Sequence, residues 1–410
     1  MKNIWIINHY ATPPSFGGLT RHHYFAKHLK ERGKHVEIFA SSAIHNSNVN
    51  MFTKNDKGLY TVNTVEDVEY IHIKTSQYSN KFMRVINILQ YYFRTFKVAK
   101  KMMKPDIIYT SSPQPLSALL SIKIAKKYKI PCIVEIRDLW PESIVSFGLL
   151  SKKNIIIKLL YKLEKYIYLH ADKIVFTMEG GIEYLKEQNY SSKINFDRVY
   201  NINNGIDLEK YRNDLKNFKL DDIDLNNKRT FKAIYTGSIR YIYNIGKLVE
   251  MAKQLKNEEN IRILVYGDGP YRKELKKYCK ENNISNIIFK GFVDTKYIPY
   301  ILSKADLCLL HGNNSDVFRY GMSTNKSFMY FASGKPILSA YNNKYDLIEK
   351  YGCGITLTTQ DNKVYAKTIL KLSKTDKESY KKYCENSLKL SKEYDYKRLT
   401  DRLIDIIEEE

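Results

Sequence analysis

The feature that most constrains this chain is an alternation of short apolar runs with amphipathic helical stretches, played through twice. In the first half, KNIWIIN (2–8), HVEIFAS (35–41), DIIYTSS (106–112), CIVEIRD (132–138) and KIVFTM (173–178) read as strands. Helical segments lie between them, one from about Thr20 to Arg32 before Gly33 and another over LSALLSIKIAKKYK. This rhythm predicts a parallel, doubly wound sheet. The pattern restarts with FKAIYTGS (231–238), IRILVYGDG (261–269), NIIFKGF (286–292), ADLCLLH (305–311) and KPILSA (335–340), with helices through LVEMAKQLK and YRKELKKYCKEN. Two α/β sets in series predict two similar Rossmann-like domains facing an interdomain cleft. The expected division is 1–197, joined by a returning C-terminal helix at about 385–410, and 198–384. The polar stretch RNDLKNFKLDDIDLNNKR (212–229) reads as a surface loop near the hinge, and a charged final helix is expected over about 376–408.

Composition narrows the classes of function. Of the 410 residues 43% are hydrophobic and 27% charged, which suits a globular protein, and no uncharged apolar run is long enough to cross a bilayer. The opening MKNIWIINHYATPPSFGG reads as a first strand and loop, not a signal peptide. Cys132, Cys279, Cys308, Cys353 and Cys384 are odd in number and lack metal-type spacing, so a disulfide framework is not expected and a reducing cytosol is.

A formal net charge of +23 attracts nucleic acid, acidic lipid or phosphorylated substrate, unless it only solvates the surface. No signature of a nucleic-acid-binding module is present, so no nucleic-acid partner is expected. Two basic, aromatic helical stretches, KFMRVINILQYYFRTFKVAKKMMK (81–104) and SKKNIIIKLLYKLEKYIYLH (151–170), fit an anionic membrane surface. The rival reading is a pair of sheet-covering helices with snorkelling lysines.

Ligands of open α/β sheets bind beyond the C-terminal ends of the strands, and the chemically interesting motifs fall there. Gly17-Gly18 sits between the first strand and helix, where it serves either close backbone approach to a ligand or a tight turn; it matches neither GxGxxG nor the P-loop. EIRDLWPE ends the CIVEIRD strand. There Asp138 or Glu135 suits a base or hydroxyl acceptor, and Trp140 suits a flat wall for a sugar; alternatively Arg137 closes the domain by an ion pair and the tryptophan is core. Asn204-Gly205-Ile206-Asp207 reads as a turn at the domain junction. Gly237 permits close backbone approach, and Arg240 can fork onto phosphate oxygens. Gly267-Asp268-Gly269-Pro270 is a turn needing positive φ.

In RYGMSTNKSFMYFASGKPIL (319–338), Ser323 and Thr324 are suitable N-caps, NKSFMYFAS a short helix, and Gly334 with Pro336 its stop. A helix N-terminus with Lys326 in its first turn suits a diphosphate. His9 falls on the first loop, at a position where substrate contact is conceivable. His22 and His23 have no metal partner at useful spacing.

Taken in order, these pieces resemble the family-four retaining glycosyltransferases of GT-B fold. GGLTRHHYFAKHLKERGKHVEIFA is similar to that family's opening glycine loop, helix and second strand. VEIRDLWPES resembles a subgroup of bacterial surface-polysaccharide enzymes that includes N-acetyl-fucosamine transferases. NGID, YTGS, VYGDGP, KGFV and SKADLCLL resemble its second domain, and TNKSFMYFASGKPIL its helix for the sugar donor. The resemblance implies a nucleotide sugar, UDP-linked, held mainly by the second domain. Ser323, Thr324, Asn325, Lys326, Gly237 and Arg240 would surround the diphosphate, Gly17 and Gly18 would approach it from the other side, and Val293 would offer backbone to the base.

The acceptor, a lipid-linked saccharide, would sit on the first domain near His9, Glu135, Arg137 and Trp140. Asp138 would orient or deprotonate it, and Arg240 and Lys326 would stabilise the leaving diphosphate. No metal or other cofactor is implied, and the motifs contain no DxD-type acidic pair. One departure stands out. The family pairs two glutamates with seven residues between them, the second binding ribose hydroxyls; the matching positions here are Gly321 and Met329. A thioether is a poor hydrogen-bond partner, and a lost charge-assisted bond costs about 1.5–3 kcal/mol. The implied protein is a cytoplasmic, metal-independent enzyme on the inner face of the plasma membrane, serving capsule, O-antigen or related assembly. A sugar-nucleotide epimerase, an inactive donor-binding subunit and a basic nucleic-acid-binding protein are the alternatives.

Overall fold

The computed structural model describes residues 2–409 except Gly18, Asn189, Ser191 and Ser192. The chain divides into two units, one running to Asn203 and resuming at Tyr396, the other spanning Asn204–Asp395.

Unit 1 is built on a sheet of β1 (Asn3–Ile7), β2 (His35–Ser41), β3 (Tyr60–Val65), β4 (Val68–Ile73), β5 (Ile107–Ser111), β6 (Cys132–Ile136), β7 (Lys173–Phe176) and β8 (Val199–Asn201). Their spatial order is β3-β4-β2-β1-β5-β6-β7-β8. All neighbours are parallel except β3 and β4, an antiparallel hairpin at one edge. The sheet is thus parallel as expected, with the β3 edge strand as its antiparallel addition. β1, β5 and β6 are buried along their whole length, as strands covered by helices on both faces must be. Trp5 is fully buried, and its indole N–H donates to Glu37 Oε2 at 2.7 Å.

The expected single helix over 376–408 is two. Lys377–Glu393 belongs to unit 2, and Tyr396–Glu408 returns to unit 1. The returning helix buries Leu399, Leu403, Ile406 and Ile407, an i, i+4, i+7, i+8 stripe. It packs on the helix Arg21–Glu31, with Tyr396 stacked on Tyr24 at 5.1 Å and Arg32 Nε 2.5 Å from Asp401 Oδ1.

Unit 2 carries β9 (Phe231–Thr236), β10 (Ile261–Tyr266), β11 (Ile287–Gly291), β12 (Leu307–Leu310), β13 (Ile337–Ser339) and β14 (Gly354–Thr356) in the order β11-β10-β9-β12-β13-β14, all parallel. Successive residues of β10 enter opposite cores: Ile263 and Val265 join Leu248 and Leu309, while Leu264 and Tyr266 join Ile301 and Phe331. This two-sided burial is why the strands read as unbroken apolar runs. The stretch 212–229, expected as loop, is partly helical. Asp207 caps the helix Leu208–Asn217 by accepting from Lys210 N at 2.7 Å, and Asp222 caps Ile223–Asn226.

Three glycine turns interlock at the C-terminal ends of β9, β10 and β11. Gly237 N donates to Tyr266 O and Gly267 N to Gly291 O. Gly237, Gly267 and Gly291 all hold φ in the left-handed range, and a Cβ on Gly267 would lie 1.8 Å from Gly237 O. GDGP is thus a structural turn that fixes the loop Ser238–Arg240 against its neighbour, with Ile239 N donating to Asp268 O at 2.8 Å.

Candidate active site

The helix Asn325–Ser333 begins where the sequence places it. Its N-cap is Thr324, in extended conformation, and no side chain caps the first-turn N–H groups. Thr324 Oγ1 pairs with Ser327 Oγ at 2.8 Å instead. Ser323 is engaged elsewhere: its hydroxyl accepts from Asn204 N at 2.7 Å, and its carbonyl accepts from Asn204 Nδ2. The NGID turn and the helix entrance therefore hold one another, and the helix end keeps N–H groups free for an anion. Asn325 is exposed at this end.

Lys326, in the first turn, points back to β9. Its Nζ donates to Tyr235 Oη at 2.8 Å and stands over the rings of Tyr243 at 3.8 Å and Tyr235 at 4.3 Å. Gly237 lies beneath it, and a Cβ there would come within 3.2 Å of Nζ. No carboxylate partners Lys326 among the described residues. Desolvation without a counter-charge pushes its ammonium down to about 7 from an ordinary 10.5. The same strand-end cluster includes buried His311, whose Nδ1 sits 3.2 Å from Tyr243 O; burial lowers it to about 4, so it is neutral. Arg240, just past β9, is exposed and has no protein partner among the described residues. Val293 follows β11 and is half-buried against the core. Met329 is half-buried against the same core, and Gly321 ends a 3₁₀ turn with φ of 104°. Neither position offers a hydrogen-bonding side chain.

In unit 1 the structure separates the residues that sequence grouped as acceptor-side. Glu135 is 0% exposed inside the unit, not at its surface. Its Oε2 accepts from Arg21 Nε at 2.7 Å and from Tyr109 Oη, and its Oε1 accepts from Ser111 Oγ at 2.9 Å and lies 3.1 Å from His22 Nε2. Burial opposes its charge, but Arg21, His22 and Arg137 outweigh that and hold the carboxyl well below the usual range. Arg21 in turn donates to the carbonyls of Ile202 and Asn203, so the network ties β6 to the end of the unit. With both oxygens engaged by partners inside unit 1, Glu135 supports the strand end.

His9 is 1% exposed rather than on an open loop, stacked between Tyr10 and Tyr91 at 4.4 and 4.6 Å, with Nε2 2.7 Å from Asn87 Oδ1. Burial lowers it to about 3, which makes it neutral. Asp138, Arg137 and Trp140 remain at the end of β6. Asp138 reaches solvent, and desolvation raises its carboxyl above the ordinary value against the pull of Arg137. Arg137 is half-buried, with Nη1 unpartnered. Trp140 is half-buried ahead of a cis bond to Pro141. Gly17 closes a 3₁₀ turn with φ of 67°; Gly18 lies outside the described residues.

Sequence reading missed the Tyr235–Tyr243–His311 cage and the Arg21–Glu135 network. Tyr235, two residues before Gly237 at a strand end, was the available signal for the first. No group of three or more His, Cys, Asp or Glu residues positioned to hold a metal occurs among the described residues.

A Glycosyltransferase Family 4 profile matches residues 16–210, and a Glycosyl transferases group 1 profile matches residues 217–390. Probable glycosyltransferase WbjE of Pseudomonas aeruginosa is 22% identical over 295 residues, 70% of this chain and 71% of that protein. Alpha-monoglucosyldiacylglycerol synthase of Streptococcus pneumoniae is 28% identical over 310 residues, 72% of this chain and 64% of that protein. Among solved structures, Anabaena HepE in complex with UDP and glucose matches at a TM-score of 0.67 and 13% identity over 100% of both chains, a likeness of fold. The protein therefore has the GT-B fold and joins two glycosyltransferase domains in series, Family 4 over residues 16–210 and group 1 over 217–390.

Proposed function

We propose that this protein is a retaining, metal-independent glycosyltransferase that moves a sugar from a UDP-linked donor to a lipid-linked saccharide at the inner face of the plasma membrane. The observation that carries the reading is Lys326, a half-buried cation without a counter-charge beside an uncapped helix N-terminus at the sheet's C-terminal edge. A nucleoside diphosphate supplies the missing negative charge there. Arg240, just past the end of β9 and with no side-chain partner among the described residues, adds a fork for its oxygens.

The chemistry then asks little more of the chain than charge stabilisation. The bond from the anomeric carbon to the diphosphate breaks, its electron pair leaving with the phosphate oxygen that Lys326 and Arg240 neutralise. An acceptor hydroxyl attacks the same face, and its proton passes to the departing phosphate. Asp138, solvent-reaching on unit 1, orients that hydroxyl. Arg137 and Trp140 flank it in sequence. HepE, crystallised with UDP and glucose, supports the choice of nucleotide. VEIRDLWPES supports a role in surface-polysaccharide assembly, N-acetyl-fucosamine transfer included.

A membrane-borne acceptor is supported by unit 1's surface. Phe82 is 72% exposed on the helix Lys81–Ala99, and Val85, Leu89 and Phe93 continue the stripe. Leu149 at 70%, Ile155 at 69%, Ile156 and Leu159 form a second exposed apolar group. Residues 70–105 and 143–163 contain no Asp or Glu, so both groups are apolar patches with basic residues in the same stretches of sequence. No helix among the described residues is long and apolar enough to cross a membrane.

The test is turnover of a UDP-sugar panel in EDTA, with membrane lipid extract as acceptor. Transfer or slow hydrolysis of one donor is expected, with Arg240→Ala and Lys326→Ala each removing most of it. Near-normal turnover in both variants refutes the diphosphate assignment. Met329 favours a second reading, a donor-binding subunit without activity, because its thioether leaves the ribose without a partner at that position. UDP binding with no turnover of any sugar would select it, and conversion of donor without an acceptor would select an epimerase.

A further inference from the structure

His311 follows β12 directly and is 2% exposed. Its one side-chain hydrogen bond among the described residues runs to the carbonyl of Tyr243, 3.2 Å from Nδ1. A carbonyl only accepts, so Nδ1 carries the proton and donates it, and the neutral ring keeps a bare Nε2. Two ammonium groups act on that ring, Lys247 from the helix Ile245–Gln254 and Lys326 from the helix Asn325–Ser333, and both oppose a second proton. The donor is therefore in place from about pH 4 upward.

The imidazole is itself held from behind. Tyr341 Oη donates to the carbonyl of His311 at 2.9 Å, and a Cβ on Gly312 would lie 2.0 Å from that hydroxyl, so a side chain at 312 would displace the ring. The ring of Tyr365, from the helix Asn362–Ser373, stands 5.5 Å away. Two residues further along, Asn313 Nδ2 donates to the carbonyl of Tyr241 at 3.0 Å. The chain leaving β12 thus grips both ends of the 3₁₀ turn Tyr241–Tyr243, which follows Arg240 in the loop after β9. That turn carries the ring of Tyr243, whose centre is 3.8 Å from Lys326 Nζ, opposite the ring of Tyr235 at 4.3 Å.

We propose that His311 is a positioning residue for the sugar donor: by holding the Tyr243 carbonyl it keeps the Tyr243 ring over Lys326, and through that ring it controls how much water reaches the ammonium that meets the diphosphate. This rests on the reading above and names a residue that regulates the same site. Water is the controlling variable because no acid offsets its loss, and burial alone lowers the ammonium. A ring face attracts a cation weakly, whereas the same ring excludes the solvent that stabilises the charge far better. When the turn is released, Lys326 meets water and regains its ordinary proton affinity.

The experiment follows Lys326 in the full-length protein by NMR of ¹³Cε-labelled lysine, its signal assigned by loss in Lys326→Met. In wild-type protein it should titrate near pH 7. The midpoint should rise by about one unit or more in His311→Leu and in Tyr243→Leu. His311→Asn, whose amide nitrogen stands where Nδ1 does, should keep the wild-type midpoint, and Asn313→Ala, which frees the other end of the turn, should leave it unchanged. His311→Leu/Tyr243→Leu should match Tyr243→Leu alone, because the imidazole acts only through that ring. Titration with UDP reads the consequence: affinity should fall about 50-fold from pH 7 to 9 in wild-type protein and about tenfold or less in His311→Leu. Tyr243 is half-buried, so its variant decides the matter even where His311→Leu does not fold: an unmoved midpoint in Tyr243→Leu refutes the inference. A shift in His311→Asn as large as in His311→Leu, an equal shift in Asn313→Ala, or a wild-type midpoint near the ordinary 10.5 overturns it too. UDP that fails to bind wild-type protein whose Lys326 titrates as expected sinks the donor reading instead, and the two failures are thereby distinct.

Discussion

If the donor's diphosphate binds beside Lys326, as proposed, the cage around that residue makes donor binding a proton-linked event. In the free protein the ammonium is pressed between Tyr235 and Tyr243 with no acid nearby, and desolvation brings it to about 7. The other titratable neighbours do not compensate: His311 is neutral above about pH 4, and Lys247, like Lys326, acts on it as a positive charge. A diphosphate beside Nζ reverses the balance and favours the charged form. If only the protonated form grips the diphosphate, affinity falls by a factor of about 1 + 10^(pH − 7), or about 11-fold at pH 8 and about 100-fold at pH 9 relative to the acid limit. Calorimetric titration with UDP between pH 7 and 9, in two buffers of different ionisation enthalpy, reads both quantities. About 0.9 proton should be taken up per UDP at pH 8.

The stability of the free protein runs the other way. Its folded value lies below the ordinary 10.5, so the unfolded chain binds more protons between about 7 and 10.5, and stability rises with pH across that window. Lys326→Met should therefore raise the melting temperature of the free protein while abolishing the shift that UDP produces. A UDP affinity flat from pH 7 to 9, with no proton uptake, refutes the argument.

Three other outcomes follow from the packing. Glu135→Gln leaves Arg21 buried against a neutral partner and should cost about 3–5 kcal/mol in chemical denaturation, as for other broken buried pairs. Gly267→Ala forces a Cβ into Gly237 O and should destabilise unit 2 by about 3 kcal/mol or more, seen as an early, separate melting transition. If position 329 faces the ribose, as the family resemblance implies, Met329→Glu supplies a carboxylate there and should tighten UDP about tenfold without changing affinity for its 2′-deoxy analogue; equal affinities would place ribose recognition elsewhere.

Much of the architecture was legible because buried parallel strands announce themselves as unbroken apolar runs, as β1, β5, β9 and β10 do. The β3–β4 hairpin escaped notice for a definite reason. Its turn is Glu66-Asp67, both with positive φ, where a glycine or asparagine is the usual marker. The short β8 and β14 carry three residues each, too few to show a period. The placement of Lys326 at a helix start and of Arg240 just past a strand end was legible from local spacing. The burial of Glu135 was not legible, because nothing local reveals that its partners, Arg21 and Tyr109, lie 114 and 26 residues away. His9 was misread for the same reason, since Asn87 and Tyr91 arrive from a helix far along the chain.

The helix Tyr396–Glu408 has a consequence for biogenesis. It completes unit 1, yet it leaves the ribosome only after all of unit 2 has been made. Until then the nascent first half keeps open the groove that will receive Leu399, Leu403, Ile406 and Ile407, beside Tyr24 and Phe25. Vectorial synthesis thus cannot finish the two halves in sequence: the earlier one waits, apolar and unsealed, for the strap made after all of unit 2.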